Sequence, residues 1–172
     1  MTNSTPAARV TESCPVNPGA PMKFAGKEII NAPIDTVWTV LIDKSNLESW
    51  ANDHGLPLTR AEGEDAIGVG TSWTGTFSVS LLSGKVVIKA VESDVPNRLA
   101  FETKIAGITA ATKIVLKQKT ENSTVIRAVT TLAASSPKGH LAMAGIRLKK
   151  NSAEAHYKTH IKDFFRKIRQ AA

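Results

Sequence analysis

The chain has 172 residues, 42% of them hydrophobic, and a net charge of +7. This length and apolar content predict one domain with its own core, and no apolar run approaches the roughly 20 residues of a membrane-spanning helix. The N-terminus lacks the apolar stretch of a secretory signal, and the single cysteine, Cys14, excludes an intramolecular disulfide. We therefore expect a cytoplasmic protein, with a flexible, proline-containing leader over residues 1–22 and one domain over residues 23–172.

The first part of the domain predicts one strand followed by two short helices. Residues 23–31 contain a short apolar run typical of a strand, which ends before Pro33. A helix over 33–42 follows, because four apolar residues recur at helical spacing: Ile34, Val37, Trp38 and Leu41. Ser45 and Glu48 have the spacing of a capping box, which predicts a second helix that starts at Ser45 and carries Leu47 and Trp50 inward.

The middle of the chain predicts strands and turns without helices. From 69 to 81 the odd positions, from Val69 to Leu81, are mostly apolar and the even ones are Gly, Ser or Thr, which indicates a strand with one buried face. Gly75 interrupts the buried row, and we interpret it as a point of curvature or of space beside the sheet. A turn at 83–84 and further strands over 85–91, 99–105, 108–119 and 124–133 follow, with a possible short strand at 57–62. The pattern predicts an antiparallel meander of about seven strands in total.

A long helix is predicted to close the chain. Residues 151–154 have a capping-box pattern, and one face of the following segment is apolar, with Tyr157, Ile161, Phe164, Phe165 and Ile168. This apolar face must pack against another apolar surface, and the concave side of the predicted sheet is the large surface available for it. The connection before it, between Gly139 and Gly145, is either a movable flap or short helix over a pocket mouth, or an ordinary connection.

The positive charge is concentrated at the C-terminus, where residues 147–172 hold eight basic and two acidic residues. Four of the basic residues fall on one helical stripe: Lys158, Lys162, Arg166 and Arg169. The stripe is either a weak contact for an anionic membrane or an acidic protein, or the solvated side of an amphipathic helix. Aromatic side chains do not interleave with it, so we do not expect nucleic-acid binding.

The order of these elements and several of their residues resemble the SRPBCC superfamily, in its polyketide cyclase/dehydrase-like branch. The similar residues are the strand and helix from Ile29 to Trp38, then Asp43 with Leu47 and Trp50, and Val69-Gly70 with Trp73. The resemblance implies an α+β fold of the helix-grip (START-like) type. In that fold a seven-stranded antiparallel sheet wraps around a long C-terminal helix, and two short helices follow the first strand.

The resemblance also implies a mostly apolar pocket between the sheet and the C-terminal helix. By their register, the candidate ligand-binding residues are Trp73, Phe77, Phe101, Thr103, Tyr157 and Ile161. Each of them is also compatible with an ordinary core position. Tyr157 is the most distinctive, since a buried hydroxyl requires a hydrogen-bond partner, either a ligand or a carbonyl of the sheet. We expect substitution of Tyr157 or Trp73 to alter ligand binding more than folding.

The sequence contains no catalytic motif, and the weak catalytic candidates are His54, His140, Arg60 and Tyr157. His54 and His140 could each reach a pocket mouth and exchange a proton near neutral pH, although loop polarity is the plainer explanation of both. Arg60, with Glu62, could polarise a carbonyl group or form an exposed ion pair. His156 and His160 are four residues apart but lie towards the polar side of the helix, so we expect neither a metal site nor a cofactor.

Three functional hypotheses remain open at this stage. The first is a non-catalytic carrier or sensor of a hydrophobic small molecule that is lipid- or polyketide-like. The second is a cyclase or dehydratase-like enzyme that uses the same pocket to fold a poly-β-ketone. The third is a membrane-associated accessory protein that docks through its basic C-terminal helix.

Overall fold

A seven-stranded antiparallel sheet and four helices make up the part of the chain that the computed structural model describes, residues 19–61, 66–79 and 82–172. The strands are β1 Met22–Ile30, β2 Leu58–Arg60, β3 Ser72–Val79, β4 Leu82–Asp94, β5 Arg98–Ile105, β6 Ile108–Thr120 and β7 Ser123–Ala134. The helices are α1 Ile34–Ile42, α2 Lys44–Asp53, α3 Pro137–Leu148 and α4 Lys150–Ala171. Cys14, Glu62 and the predicted leader up to residue 18 lie outside the described residues.

The sheet has the order β1-β7-β6-β5-β4-β3-β2, so β2 to β7 form the predicted meander and β1 joins it beside β7. Every pair of neighbours is antiparallel, and β1 is in register with β7 from Met22 opposite Leu132 to Ile30 opposite Thr124. Along β6 the side chains alternate as the sequence predicts, with Ile114 and Leu116 buried and Lys113, Lys117 and Lys119 exposed. The predicted α+β architecture is confirmed.

Helix α2 begins one residue earlier than predicted and has a different N-cap. The carboxylate of Asp43 accepts a hydrogen bond from the backbone N–H of Ser45 at 2.8 Å, which makes Asp43 the capping residue. The predicted capping box of Ser45 and Glu48 does not form, because the Glu48 carboxylate instead accepts a hydrogen bond from the indole N–H of Trp73. Helix α2 is thereby attached to the sheet.

The β3–β4 hairpin also differs from the prediction. The predicted turn residues Ser83 and Gly84 lie inside β4, paired with Ser78 and Phe77, so they are not the turn of the hairpin. Val69, predicted to be buried, is 67% exposed because β3 begins only at Ser72. Gly75 has a close-packing role, since a Cβ there would lie 2.7 Å from the carbonyl oxygen of Pro57.

The connection between β7 and the last helix is itself a helix, α3. The Ser136 hydroxyl caps it by accepting a hydrogen bond from the Gly139 N–H at 3.0 Å. Gly139 packs against the backbone of Gly107 in the β5–β6 turn, where Gly107 has a φ of +77°, so neither position has space for a side chain. Helix α4 begins at Lys150 without a side-chain cap, and Glu154 of the predicted capping box pairs instead with Lys158 at 2.8 Å.

Two apolar clusters hold the helices against the sheet. The larger one joins α1 and the C-terminal half of α4 to the inner face of the sheet, with Phe165 and Ile168 fully buried. The smaller one joins α3 to β1 and β6 through Met143, Phe24 and Ile108, and Tyr157 of α4 packs against it. The middle of α4 therefore spans the region between the two clusters.

Candidate functional site

A cavity of about 290 Å³ lies between the sheet and α4. Strands β4 to β7 form one wall, α4 forms the opposite wall, and α2 with the residues after it closes one side. The lining residues are Leu47, Trp50, Leu56, Ile88, Phe101, Thr103, Thr112, Ile114, Thr130, Tyr157, His160, Ile161 and Phe164. The cavity occupies the position that the sequence predicts for a pocket.

The wall of this cavity is predominantly apolar and contains no Asp, Glu, Lys or Arg side chain among its described residues. Tyr157 and His160 are the ionisable side chains among the described residues that line it. An ion that leaves water needs a counter-charge or several hydrogen bonds, and this wall offers it no carboxylate, ammonium or guanidinium group. The cavity is therefore suited to an uncharged molecule.

Three hydroxyl groups form a chain across the cavity wall. The Thr112 and Thr130 hydroxyl oxygens are 2.9 Å apart, and the Thr130 and Tyr157 hydroxyl oxygens are 3.2 Å apart. Burial raises the pKa of Tyr157 above its ordinary value of 10.0, so its hydroxyl is protonated at neutral pH. Two hydrogen bonds use two of the three hydroxyl protons, which leaves one O–H group of the chain to donate to another acceptor.

Trp50 places a second donor on the cavity wall. Its indole ring packs edge-on against Phe164, with ring centroids 5.4 Å apart, and lies 4.8 Å from the ring of His54. Within residues 19–61, 66–79 and 82–172, its Nε1 is the one buried side-chain nitrogen or oxygen without a hydrogen-bond partner. Such a group destabilises a protein by about 1–3 kcal/mol, so proteins rarely leave it unpaired. Trp50 is one of the lining residues, so this unpaired N–H lies on a residue of the cavity wall.

A small histidine cluster lies next to Trp50. The ring of His160 is 4.7 Å from that of His54 and 6.2 Å from that of His156, and Asp163 lies 3.8 Å from His54 Nε2. Burial lowers the pKa of His160 below its ordinary value, and His54 and His156 lower it further, while Asp163 opposes them. The imidazole of His160 is therefore mainly neutral at pH 7. No group of His, Cys, Asp and Glu in the described part of the chain has the geometry to hold a metal ion.

Solved structures share this architecture at low sequence identity. Norcoclaurine synthase from Thalictrum flavum, a point mutant in complex with a transition-state analogue, matches over 88% of this chain and 95% of its own, with 17% identity and a TM-score of 0.63. A protein from Thermus thermophilus matches over 88% of this chain and 99% of its own, with 15% identity and a TM-score of 0.64. The chain has the helix-grip fold. No family model and no curated protein sequence matches it, and at these identities the solved structures show the fold alone.

Four of the six predicted ligand-binding residues line the cavity of this helix-grip fold: Phe101, Thr103, Tyr157 and Ile161. Trp73 is fully buried in the core instead, where its indole N–H donates to Glu48 at 2.9 Å. Phe77, half-buried in β3 opposite Gly84, is also outside the set of lining residues. The structure therefore favours a structural role for Trp73, contrary to our expectation that its substitution would mainly alter ligand binding.

The predicted catalytic candidates do not meet at one point. Tyr157 lines the cavity, but its hydroxyl bonds to Thr130 and not to a sheet carbonyl. His54 lies beside the cavity, where its Nδ1 is 2.7 Å from the carbonyl oxygen of Trp50 at the end of α2. His140 is an exposed residue of α3, and Arg60 pairs with Glu48 at 3.1 Å.

Four polar lining residues were not predicted as site residues: Trp50, Thr112, Thr130 and His160. Thr112 lies in the same alternating row as Ile114, and Thr130 in the same row as Ile126 and Ala128, so the period of two already places both on the inner face. His160 follows Tyr157 by three residues on α4, which places it on the same side of the helix.

The predicted basic stripe of α4 is largely neutralised. Lys158 pairs with Glu154, Arg166 with Asp163, and Arg169 with Glu28 of β1. Lys162, the fourth residue of the stripe, lines a shallow hollow beside these pairs. This arrangement agrees with the interpretation of the stripe as the solvated side of an amphipathic helix. No helix within the described ranges is both long and apolar enough to cross a lipid bilayer.

Proposed function

We propose that this protein binds a small, uncharged and mostly hydrophobic molecule in the cavity between α4 and the sheet. The observation that carries the proposal is the composition of the cavity wall, which is predominantly apolar and lacks charged side chains, while its residues include the unpaired N–H of Trp50 and a hydroxyl chain with one proton left to donate. Binding would release water from apolar surface, which is the main source of affinity for such ligands. The volume of about 290 Å³ lies at the small end of the range for ligand pockets and favours a compact ligand over a long-chain lipid.

The polar groups of the cavity indicate which oxygen atoms the ligand would carry. The Trp50 N–H needs an acceptor, and the hydroxyl chain of Thr112, Thr130 and Tyr157 has one O–H group left to donate. A carbonyl or hydroxyl oxygen satisfies either donor without bringing a charge into the cavity. A compact aromatic or polyketide-like molecule with a carbonyl group combines these properties.

A solved neighbour supports this class of ligand. Norcoclaurine synthase from Thalictrum flavum, in complex with dopamine and hydroxybenzaldehyde, matches over 99% of this chain with a TM-score of 0.59 and 15% identity. Both are small aromatic molecules that carry oxygen atoms; hydroxybenzaldehyde has the carbonyl group proposed here, whereas the amine of dopamine is charged at neutral pH. The support is an analogy of fold, and the residues of the cavity in this chain carry the argument.

The second candidate is an enzyme of the cyclase or dehydratase type that uses the same cavity. The favouring observation is that His160 and Tyr157 line one wall, with a largely neutral imidazole and a protonated phenol at neutral pH. The imidazole would remove a proton from the carbon next to a ligand carbonyl, and the Tyr157 or Trp50 donor would stabilise the enolate oxygen. Turnover of a poly-β-ketone mimic that His160→Gln abolishes, with ligand affinity preserved, would favour the enzyme over the carrier.

Mass spectrometry of an organic extract from the natively purified protein tests the binding proposal. We expect a neutral oxygen-containing molecule at near-stoichiometric amount, and we expect Thr103→Phe, which fills the cavity, to remove it. Phe77→Leu is the matched control, because Phe77 is in β3 of the same sheet, two strands from Thr103, and does not line the cavity. A bound molecule that both variants retain equally would contradict the proposed site.

A further inference from the structure

Helix α3 is apolar on two opposite faces, and only one of them is covered. Gly139 and Met143 are buried on the inner face, where Met143 packs in the smaller apolar cluster. On the outer face, Leu141 is 77% exposed and Leu148 is 89% exposed, the two most exposed large hydrophobic side chains of the described residues. They are seven residues apart and therefore lie above one another on the helix, with exposed Ala144 between them. This ridge has no partner within the described chain.

All charged side chains in the sequence around the ridge are basic. No Asp or Glu occurs between Glu121 and Glu154, whereas α3 and the start of α4 hold four basic residues: Lys138, Arg147, Lys149 and Lys150. Three of these border a hollow of about 330 Å³ at the junction of the two helices, together with Leu148. The Arg147 guanidinium donates to the carbonyl of Ala20.

We propose that α3 docks the protein on an anionic lipid membrane, with Leu141 and Leu148 inserted among the lipid headgroups and the basic residues against their phosphates. An apolar ridge flanked by Lys and Arg is the composition of helices that lie in the plane of a membrane surface. A membrane surface would bury the exposed leucines in its headgroup region. Its anionic lipids would attract the basic residues, and no acidic residue between Glu121 and Glu154 would oppose that attraction. An acidic protein would satisfy the charges but needs no leucine ridge.

This surface is distinct from the stripe of Lys158, Lys162, Arg166 and Arg169, in which three residues already have carboxylate partners. It is also independent of the proposed function, since neither leucine lines the cavity. Met143, on the opposite face of α3, packs in the cluster that contacts Tyr157, so the two sites are on adjoining parts of the molecule.

Flotation of the full chain with phosphatidylserine-containing vesicles, compared with pure phosphatidylcholine vesicles, tests the proposal. We expect binding to the anionic vesicles alone, weakened by salt because the charges are exposed. The double variant Leu141→Ser/Leu148→Ser is expected to lower the affinity at least tenfold, on the order of the loss of two partly buried leucines. Lys149→Gln/Lys150→Gln is expected to lower it about twenty- to thirtyfold, from about fivefold for each basic residue.

Two control variants separate this surface from its alternatives. Val69→Ser/Val95→Ser removes two other exposed hydrophobic side chains, each 67% exposed, and Lys158→Gln/Lys162→Gln removes charge from the stripe. We expect both to retain vesicle binding, and all variants to keep the unfolding midpoint of the wild type because the substituted side chains are exposed. Absence of vesicle binding, or loss of binding in the stripe variant instead of the α3 variants, would overturn the proposal. A dimer that the leucine variant dissociates, without any vesicle binding, would assign the ridge to a second copy and would overturn it as well.

Discussion

Trp50→Phe tests whether a ligand satisfies the unpaired indole N–H. The substitution keeps an aromatic ring next to Phe164 and removes the one donor that lacks a partner within the described residues. In the free protein two effects oppose each other: relief of an unpaired buried donor stabilises by about 1–3 kcal/mol, and the loss of ring atoms from the core destabilises by a comparable amount. We therefore expect the free energy of unfolding to change by less than about 2 kcal/mol.

Ligand affinity is expected to respond differently from stability. A matched pair of probes, 2-acetylnaphthalene and 2-ethylnaphthalene, differs in the carbonyl oxygen that would accept from Trp50. A hydrogen bond to an otherwise unsatisfied donor contributes about 0.5–1.5 kcal/mol, which corresponds to an affinity ratio of about two- to tenfold. After correction for the different hydrophobicity of the two probes, the wild-type protein should bind the ketone more tightly by this factor. In Trp50→Phe this higher affinity for the ketone should disappear.

Calorimetric or fluorescence titration of both probes measures this ratio. Trp73→Phe is the matched control, because its indole N–H donates to Glu48 and the residue does not line the cavity. It should leave the ketone preference as it is in the wild type. An equal ratio in the wild type and in Trp50→Phe would refute the assignment of the indole N–H to the ligand.

Two further predictions concern stability. Trp73→Phe should lower the free energy of unfolding by about 2–4 kcal/mol in urea titrations, since it removes a hydrogen bond to the Glu48 carboxylate and fully buried ring atoms; an unchanged midpoint would show that this contact contributes little. The pKa of His160 is lowered in the folded state, so the unfolded chain binds a proton at this residue more readily. The free energy of unfolding should therefore fall as the pH decreases through the ordinary value of 6.5, and it should level off below the pKa of the folded state. Thermal unfolding midpoints of His160→Gln should vary less with pH over this window, and identical profiles for variant and wild type would contradict the assignment.

The sheet and the main helices were predictable because their periodicities are local. Alternation on β6 and the apolar stripe of α4 are determined by which residues must face a core, and the structure places Ile114 and Phe165 accordingly. The helix starts were predicted less well, because the glutamate of a capping box can bond to another partner, near or distant in the sequence. Glu48 of α2 contacts Trp73, 25 residues away, and Glu154 of α4 pairs with Lys158.

The location of the cavity could be predicted, but the residues that line it could be predicted only in part. Phe101 and Thr103 were found because they lie in the inward row of β5, which faces α4. Trp73 lies in an equally regular row, but its indole bonds to Glu48 of α2 within the core, and which helix contacts which strand depends on the tertiary packing of distant elements. The unpaired N–H of Trp50 could not be predicted, since only the folded structure shows whether an acceptor lies near it.

The most direct test of the central claim is a calorimetric titration of the wild-type protein with 2-acetylnaphthalene beside Thr103→Phe, which fills the cavity, and Phe77→Leu, which does not touch it. We predict saturable binding of one molecule per chain in the wild type and in Phe77→Leu, and at least tenfold weaker binding in Thr103→Phe. The tenfold loss follows because a phenyl ring in a cavity of about 290 Å³ displaces much of the ligand's apolar contact. Absence of saturable binding, or equal affinity in Thr103→Phe and the wild type, would contradict the assignment of the cavity as a ligand site.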